Sequence, residues 1–251
     1  MKDFNGNLVL NGKTYRHVFF DMDNTLTPSR SFMTGDMQIA LSKLMLKKNV
    51  AIVSGSQESQ VWKQVPGLFK GKISLMIQNG NNAYSAAEDK YLWERKLSSK
   101  EKKEIMNHIS RVQKRYSEMI SNVRKEKKLI EDRGCQISFS FVGHNALLQD
   151  KQKFDPKGNL RKEILANVPL ISKTVGVKIG GTTCFDYNQI GKNKGYNILE
   201  WMKYFSWRPE DSLYVGDALF PGGNDDTVLG ICDTLQVSDY RQTLAAIKKM
   251  I

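Results

Sequence analysis

Residues 17–30 read HVFFDMDNTLTPSR. Val18, Phe19 and Phe20 are consecutive strand formers, and the run ends on two acids one residue apart, Asp21 and Asp23. On a strand, residues i and i+2 point to the same side, so both carboxylates can emerge together at its carboxyl end. In an open α/β sheet that end is where ligands bind. Two close carboxylates repel each other unless a cation or a shared proton relieves them, and oxygen-rich sites suit Mg²⁺. An acidic turn closing a strand, with Asn24 and Thr25 as turn residues, would leave the same pattern.

Three further segments extend it. Residues 212–226, SLYVGDALFPGGNDD, repeat the arrangement: an apolar strand, Gly216-Asp217, then a glycine-rich loop ending in Asn224-Asp225. The AIVSGS segment at 51–56 is a strand ending in small hydroxyl residues, and Lys194 stands at the head of a predicted helix in GKNKGYNIL. The short helix expected over 57–65 could receive a phosphate on its free N–H groups, next to Ser54 and Ser56; either serine could instead cap it. Asp-x-Asp-x-Thr, a strand-end Ser, a Lys and Gly-Asp…Asn-Asp, in that order over residues 18–226, resemble the haloacid dehalogenase (HAD) superfamily of phosphoryl-transfer enzymes.

The totals fit such an enzyme. The chain has 251 residues, 40% hydrophobic, enough for one large domain or two modest ones. No apolar run reaches membrane-spanning length and the N-terminus lacks a signal-peptide core, so a soluble, cytoplasmic protein is expected. The three cysteines, Cys135, Cys184 and Cys232, are scattered, which speaks for a reducing compartment and against a zinc cluster. The net charge is +12, and residues 96–128 hold eleven Lys or Arg against four Glu. A basic balance suits anionic substrates or nucleic acid. A solvated helix face is the favoured explanation, and no nucleic-acid module accompanies the charge, so nucleic acid is disfavoured as a partner.

Along the chain, a hairpin is expected around Asn11-Gly12. An amphipathic helix over 35–48 carries Met37, Ala40, Leu41, Leu44 and Met45 on one face. Strands follow at 50–53 and 75–77, then a turn at 78–82. The composition then shifts to a long charged helix over 98–128, whose apolar face runs from Ile105 to Val123 and which Ser98 or Ser99 can cap. Ile137, Phe139 and Phe141 alternate with Gln136, Ser138 and Ser140, a half-buried strand. Its polar face, with Arg133 before it and His144 after it, suits a substrate pocket or faces solvent. A helix over 159–167 and a strand over 175–179 follow. The core resumes near Phe185-Asp186, with a helix over 195–205, strands at 213–215 and 235–237, and a helix over 239–250. The expected fold is α/β: a Rossmann-like core with a parallel sheet, residues 1–87 and 181–251, and an inserted α+β cap, residues 88–180.

A large insertion between the strand-end Ser and the Lys looks like the type IIB cap of HAD enzymes, a group of sugar-phosphate phosphatases and phosphomannomutases. The DxDxTLTP…R stretch, the Gly180-Gly181…Phe185-Asp186 segment and the GGND loop are similar to the phosphomannomutase group. The resemblance implies Asp21 as nucleophile, Asp23 as general acid and base, and Ser54 and Lys194 as neutralisers of the phosphoryl oxygens. It implies Mg²⁺ on Asp21, Asp23 (through its carbonyl) and Asp217, with Asn224 or Asp225. Substrate contacts fall to Arg30, Ser56, Arg133, Gln136, Ser138, His144 and Asp186, although for Arg30 a side chain that merely faces water is the favoured alternative.

Two departures matter. The mutases read Arg-Asn-Gly-Met-Leu-Asn, then Ile-Gly-Arg, on the cap strand. Here Arg133-Gly134-Cys135-Gln136-Ile137-Ser138 is followed by Val142-Gly143-His144. A second phosphate site needs arginines, and His144 is mostly neutral at pH 7, which favours hydrolysis of a small phosphorylated metabolite, a sugar phosphate, over a hexose phosphate mutase. Asn24 also stands where the family usually has Gly. A reading from another class is a non-catalytic protein binding nucleic acid or an acidic partner, with the acids and the lysine unexplained. The oligomeric state stays open, a homodimer through the cap being one arrangement.

Overall fold

The computed structural model describes residues 13–121 and 128–251, the side chains of Ser121 and Leu148 aside. Among the described residues eleven strands run in chain order: β1 (His17–Phe20), β2 (Asn49–Val53), β3 (Ser74–Ile77), β4 (Asn82–Ser85), β5 (Lys90–Glu94), β6 (Ile130–Asp132), β7 (Gln136–Ser140), β8 (Val175–Gly180), β9 (Cys184–Gln189), β10 (Ser212–Gly216) and β11 (Asp233–Gln236). The helices are α1 (Gly35–Met45), α2 (Glu58–Gln64), α3 (Ser99–Arg115), α4 (Ser117–Ser121), α5 (Leu148–Phe154), α6 (Asn159–Asn167), α7 (Lys194–Tyr204) and α8 (Tyr240–Met250). They form two units, residues 1–94 with 192–251, and residues 95–191.

In the first unit seven strands form one sheet in the order β11-β10-β1-β2-β3-β4-β5. β1 pairs in parallel with β10 on one side and β2 on the other, His17 lying level with both Ser212 and Asn49. The sheet's central parallel strands β1, β2, β3 and β10 are buried on both faces, as parallel sheets are. Val18, Phe20 and Met22 pack with Met37, Leu41 and Leu44 of α1, Val61 of α2 and Ile247 of α8. Phe19, Val53 and Tyr214 pack on the opposite face with Ile198, Trp201 and Met202 of α7. That is why residues 18–20 read as an unbroken apolar run. From β1 the chain runs outward in one direction through β2 and β3, and later in the other through β10 and β11. The order therefore reverses between β1 and β10, and the crevice at the carboxyl ends of those two strands is the place such sheets bind ligands.

The second unit is a four-stranded antiparallel sheet, β6-β7-β9-β8. Its core joins Ile105, Ile109 and Val112 of α3 with Phe139, Phe141, Ile164, Val175, Phe185 and Tyr187. Ser98 caps α3 in a reciprocal box: its hydroxyl accepts from the Glu101 N–H, and the Glu101 carboxylate accepts from the Ser98 N–H. Inside this unit the Arg161 guanidinium is buried against Asp155, with Nε 2.9 Å from Oδ2. It also donates to the carbonyls of Asp155, Gly180 and Cys184.

Several expectations shift. The helix expected over 35–48 stops at Met45, because the N–H groups of Lys47 and Lys48 both turn back to the Leu44 carbonyl. β4 and β5 were not foreseen; they form an antiparallel extension of the first sheet, so the expected boundary at residue 88 falls inside a core hairpin. The expected boundary at 181 falls inside the β8–β9 hairpin, and Phe185-Asp186 belong to the second unit's sheet, not to the resumed core. The charged helix breaks at Tyr116, whose backbone leaves the helical region, and restarts as α4. Its expected continuation over 122–127, like the hairpin at Asn11-Gly12, lies outside the described residues. β7 is buried on both faces rather than one: Ser138 and Ser140 are as inaccessible as Phe139. β6 and α5 were also not foreseen. Among the described residues no helix is long and apolar enough to cross a membrane.

Candidate active site

β1 ends at Phe20, and the Asp21 N–H then donates to the Val215 carbonyl of β10, 2.9 Å away. This bond holds the two strand ends together where Asp21 and Asp217 emerge. Lys194, the first residue of α7, is 1% exposed and places its Nζ 2.6 Å from Asp21 Oδ1 and 2.6 Å from Asp225 Oδ1. Asn193 caps that helix through the Tyr196 N–H, so the lysine is held at a defined start. The Tyr214 hydroxyl, on β10, donates to Asp225 Oδ1 at 2.7 Å and lies 3.3 Å from Lys194 Nζ. The Asp225 Oδ2 accepts from the Ala218 N–H at 3.3 Å. This carboxylate folds so closely over the strand end that a Cβ on residue 216 would stand 2.3 Å from it, which is why a glycine precedes Asp217. Gly222, at φ +84, makes the left-handed bend that returns the loop.

Three carboxylates thus meet: oxygens of Asp21, Asp217 and Asp225 lie within 4.8 Å of one another. One ammonium faces them, leaving an excess of negative charge in a site where Asp21 and Asp225 are buried and Asp217 is half-buried. Burial raises the Asp21 carboxyl; Lys194 pulls it back and Asp225 pushes it up again, leaving it at about 6. Burial also raises Asp217, against a hydrogen bond from Asn24. Burial alone would lower Lys194, but Asp21 and Asp225 outweigh it and hold the ammonium above its ordinary value. Three hard oxygen donors with unrelieved like charge are what a divalent cation neutralises, so the donor set fits Mg²⁺.

The other core residues are placed as follows. The Asp23 carboxylate is not among those three; its Oδ1 accepts from the Arg30 N–H at 2.7 Å. Arg30 itself is exposed, in the left-handed region at φ 51, and contributes its backbone rather than its guanidinium to that contact. Ser54 is buried at the end of β2, the strand beside β1, and its hydroxyl accepts from the Ser56 N–H. Neither serine caps α2, whose N-cap is Gln57. Asn224 is exposed on the loop before Asp225.

In the second unit, Arg133 donates to Glu131 Oε2 through Nε at 3.0 Å and Nη2 at 2.7 Å. His144 accompanies it, Nδ1 standing 3.9 Å from the same oxygen and Nε2 3.1 Å from the Ser138 carbonyl. Burial would raise the Glu131 carboxyl, but Arg133 overrides it and the net shift is downward. The Ser138 hydroxyl donates to Asp186 Oδ1 at 2.6 Å across the β7–β9 pair. Gln136 is buried on β7.

A sequence profile of haloacid dehalogenase-like hydrolases matches residues 18–229. The chain belongs to this family. Among its relatives are phosphomannomutase 2 of Dictyostelium discoideum, 26% identical over 91% of this chain and 93% of that one. The phosphomannomutase of Saccharomyces cerevisiae is 26% identical over 83% and 82%. The same fold occurs in a truncated Plasmodium falciparum IMP-nucleotidase (20% identity, TM-score 0.66, 95% of this chain and 70% of that one). It occurs again in a haloacid dehalogenase-like hydrolase from Bacteroides thetaiotaomicron (10% identity, TM-score 0.65, 95% and 100%).

Within this haloacid dehalogenase-like chain, Asn24 is accommodated where Gly was expected. It adopts φ 57, a conformation asparagine tolerates better than most residues, and its Nδ2 donates to Asp217 Oδ2 at 3.3 Å. Sequence reasoning missed Tyr214 and Glu131. Tyr214 looked like a core strand residue, and only its polar tip beside two carboxylates signals more. Glu131 lay on a strand that the pattern did not reveal.

Proposed function

We propose that the protein is a Mg²⁺-dependent phosphohydrolase of a small phosphorylated metabolite, a sugar phosphate, working through an aspartyl-phosphate. The observation that carries this reading is Lys194 bridging Asp21 and Asp225, with Asp217 beside them, at the switch point of the sheet. Mg²⁺ held by Asp21, Asp217 and Asp225, with the Asp23 carbonyl and Asn224, would supply positive charge to the site and favour the ionised Asp21. Asp21 attacks phosphorus, forming the aspartyl O–P bond as the bond to the sugar oxygen breaks. Asp23 gives that oxygen a proton, then takes one from the water that cleaves the acyl phosphate, and inorganic phosphate leaves. Asp23 is oriented for this by the Arg30 N–H. Lys194 and Ser54 balance charge on the phosphoryl oxygens. The charged Lys194, held between Asp21 and Asp225, keeps the nucleophile from drifting before substrate arrives.

A mutase is the second reading, supported by the phosphomannomutase relatives. It needs a distal phosphate clamp in the 95–191 unit. There Arg133 is engaged by Glu131, and His144 stands where a second arginine would be needed. A committed guanidinium and a weak second cation support hydrolysis. The test compares phosphate release from mannose 6-phosphate with isomerisation of mannose 1-phosphate plus a bisphosphate activator, both with Mg²⁺ and with chelator. Mg²⁺-dependent release is expected; isomerisation with little release would reverse the reading.

A further inference from the structure

At the end of the sheet remote from Asp21, where β1, β2 and β10 begin, lies a cavity of about 670 Å³ lined by Arg16, Lys47, Lys48 and Arg208. A second hollow of about 330 Å³ shares Lys48, Asn49 and Trp207 with it and adds Lys72. Some of this charge is already answered. Arg208 is held by Asp211 at 2.7 Å, and Lys47 contacts the terminal Ile251 oxygen. Arg16 makes no ion pair but shares the Asp211 carboxylate at longer range with Arg208, and Lys48 and Lys72 have no carboxylate partner among the described residues. Lys48 donates only to the Tyr15 carbonyl, at 2.6 Å, and its ammonium is lowered by burial and then by the neighbouring Lys47. The wall is rigid: the His17 imidazole stacks on the Trp207 indole at 3.8 Å and 9°. The Asn49 amide meets His17 Nδ1 at 3.0 Å. Donating there, it leaves the Nε2–H as the ring's donor.

We propose that this cavity binds a small polyanion, an oligophosphate or a multiply phosphorylated metabolite, at a site separate from the acid cluster. Crowded cations that outnumber the one lining carboxylate, Asp211, are relieved by an anion, and the volume is in the range of small-molecule sites. β1 separates it from Asp21 by about 13 Å, four residues at roughly 3.3 Å each, so one small ligand does not span both. The proposal stands independently of the reaction assigned to Asp21.

His17 is the reporter. Burial lowers its pKa, with Asp211 and Arg16 acting in opposite senses, and a bound anion raises it. The chain has three histidines, and His108 and His144 lie in the 95–191 unit. Tripolyphosphate is titrated into the full chain, in chelator at constant ionic strength, while the imidazole resonances are followed by NMR. Saturable movement of His17 alone is expected, with apparent affinity falling at least tenfold in Arg16→Gln and in Lys48→Gln. Because Lys48 also holds the Tyr15 carbonyl, Lys72→Gln, an exposed position, is the second variant, with a severalfold loss expected. A His17 resonance that stays still, that moves equally in chloride, or that responds alike in wild type, Arg16→Gln and Lys72→Gln would overturn the site. So would tight binding of a duplex oligonucleotide with no response to tripolyphosphate.

Discussion

Lys194 and Asp225, 31 positions apart in the chain, meet at 2.6 Å in a fully buried contact. The lysine simultaneously reaches Asp21 at the same distance, so it is the only ammonium among the described residues answering the three-carboxylate group. Removing it as Lys194→Met leaves two buried carboxylates without a counter-ion. A loss of about 3–5 kcal/mol is expected, read from the urea midpoint in chelator. Millimolar Mg²⁺ should recover part of that loss while turnover stays absent.

Asp21→Asn is expected to abolish phosphate release and to stabilise the metal-free fold at neutral pH. Folded, Asp21 titrates near 6 rather than 3.8, so the folded chain holds its proton more tightly than the unfolded one. That contribution is complete below 3.8 and is lost as pH rises through about 6. In chelator, wild-type melting temperature should therefore show a downward component over that window. Asp21→Asn should lack it, because one Asn replaces a charge the site must otherwise bury. An unchanged pH slope in the variant would contradict this assignment of the titrating group.

Tyr214→Phe keeps the ring that packs beside Phe19 and Ile198 but deletes the hydroxyl that fixes Asp225. Losing a hydrogen bond to a charged group costs about 2 kcal/mol. A purely structural role would show only that. If the hydroxyl positions Asp225 for the divalent cation, Mg²⁺ affinity measured by calorimetry falls roughly tenfold, the equivalent of about 1.4 kcal/mol, and kcat falls with it.

Arg161→Met tests the 95–191 unit by itself. Burial would raise Asp155, but Arg161 overrides it and the carboxyl is lowered. Its contribution is present above 3.8 and lost as pH falls through the folded value. Stranding Asp155 together with the Gly180 and Cys184 carbonyls should cost about 3–5 kcal/mol at pH 7, and less in acid, where Asp155 protonates. Equal destabilisation at both pH values would count against the ion pair as the cause.

The core strands and α1 were readable because a doubly buried strand and a one-sided helix leave distinct apolar periods, seen at Val18–Phe20 and at Met37, Ala40, Leu41 and Leu44. β4 and β5 were not, since Asn82, Ser85, Lys90 and Glu94 carry no such period and follow a strong turn signal. The β7 pattern was legible as a strand but not as one buried on both faces, because Ser138 and Ser140 bury their hydroxyls by bonding Asp186 and Thr183. Those partners lie more than forty residues away.

The local sequence, with the family resemblance its motifs carry, singled out Asp21, Asp217, Lys194 and the Asn224-Asp225 pair as candidates, because motif spacing follows from strand ends and helix starts, which are short-range physics. It was not sufficient to show that one lysine answers two of those acids, that the Tyr214 hydroxyl joins them, or that Glu131 engages Arg133. Such contacts depend on which strand lies beside which and on how much water remains between them. Chain order leaves both open until the sheet has assembled.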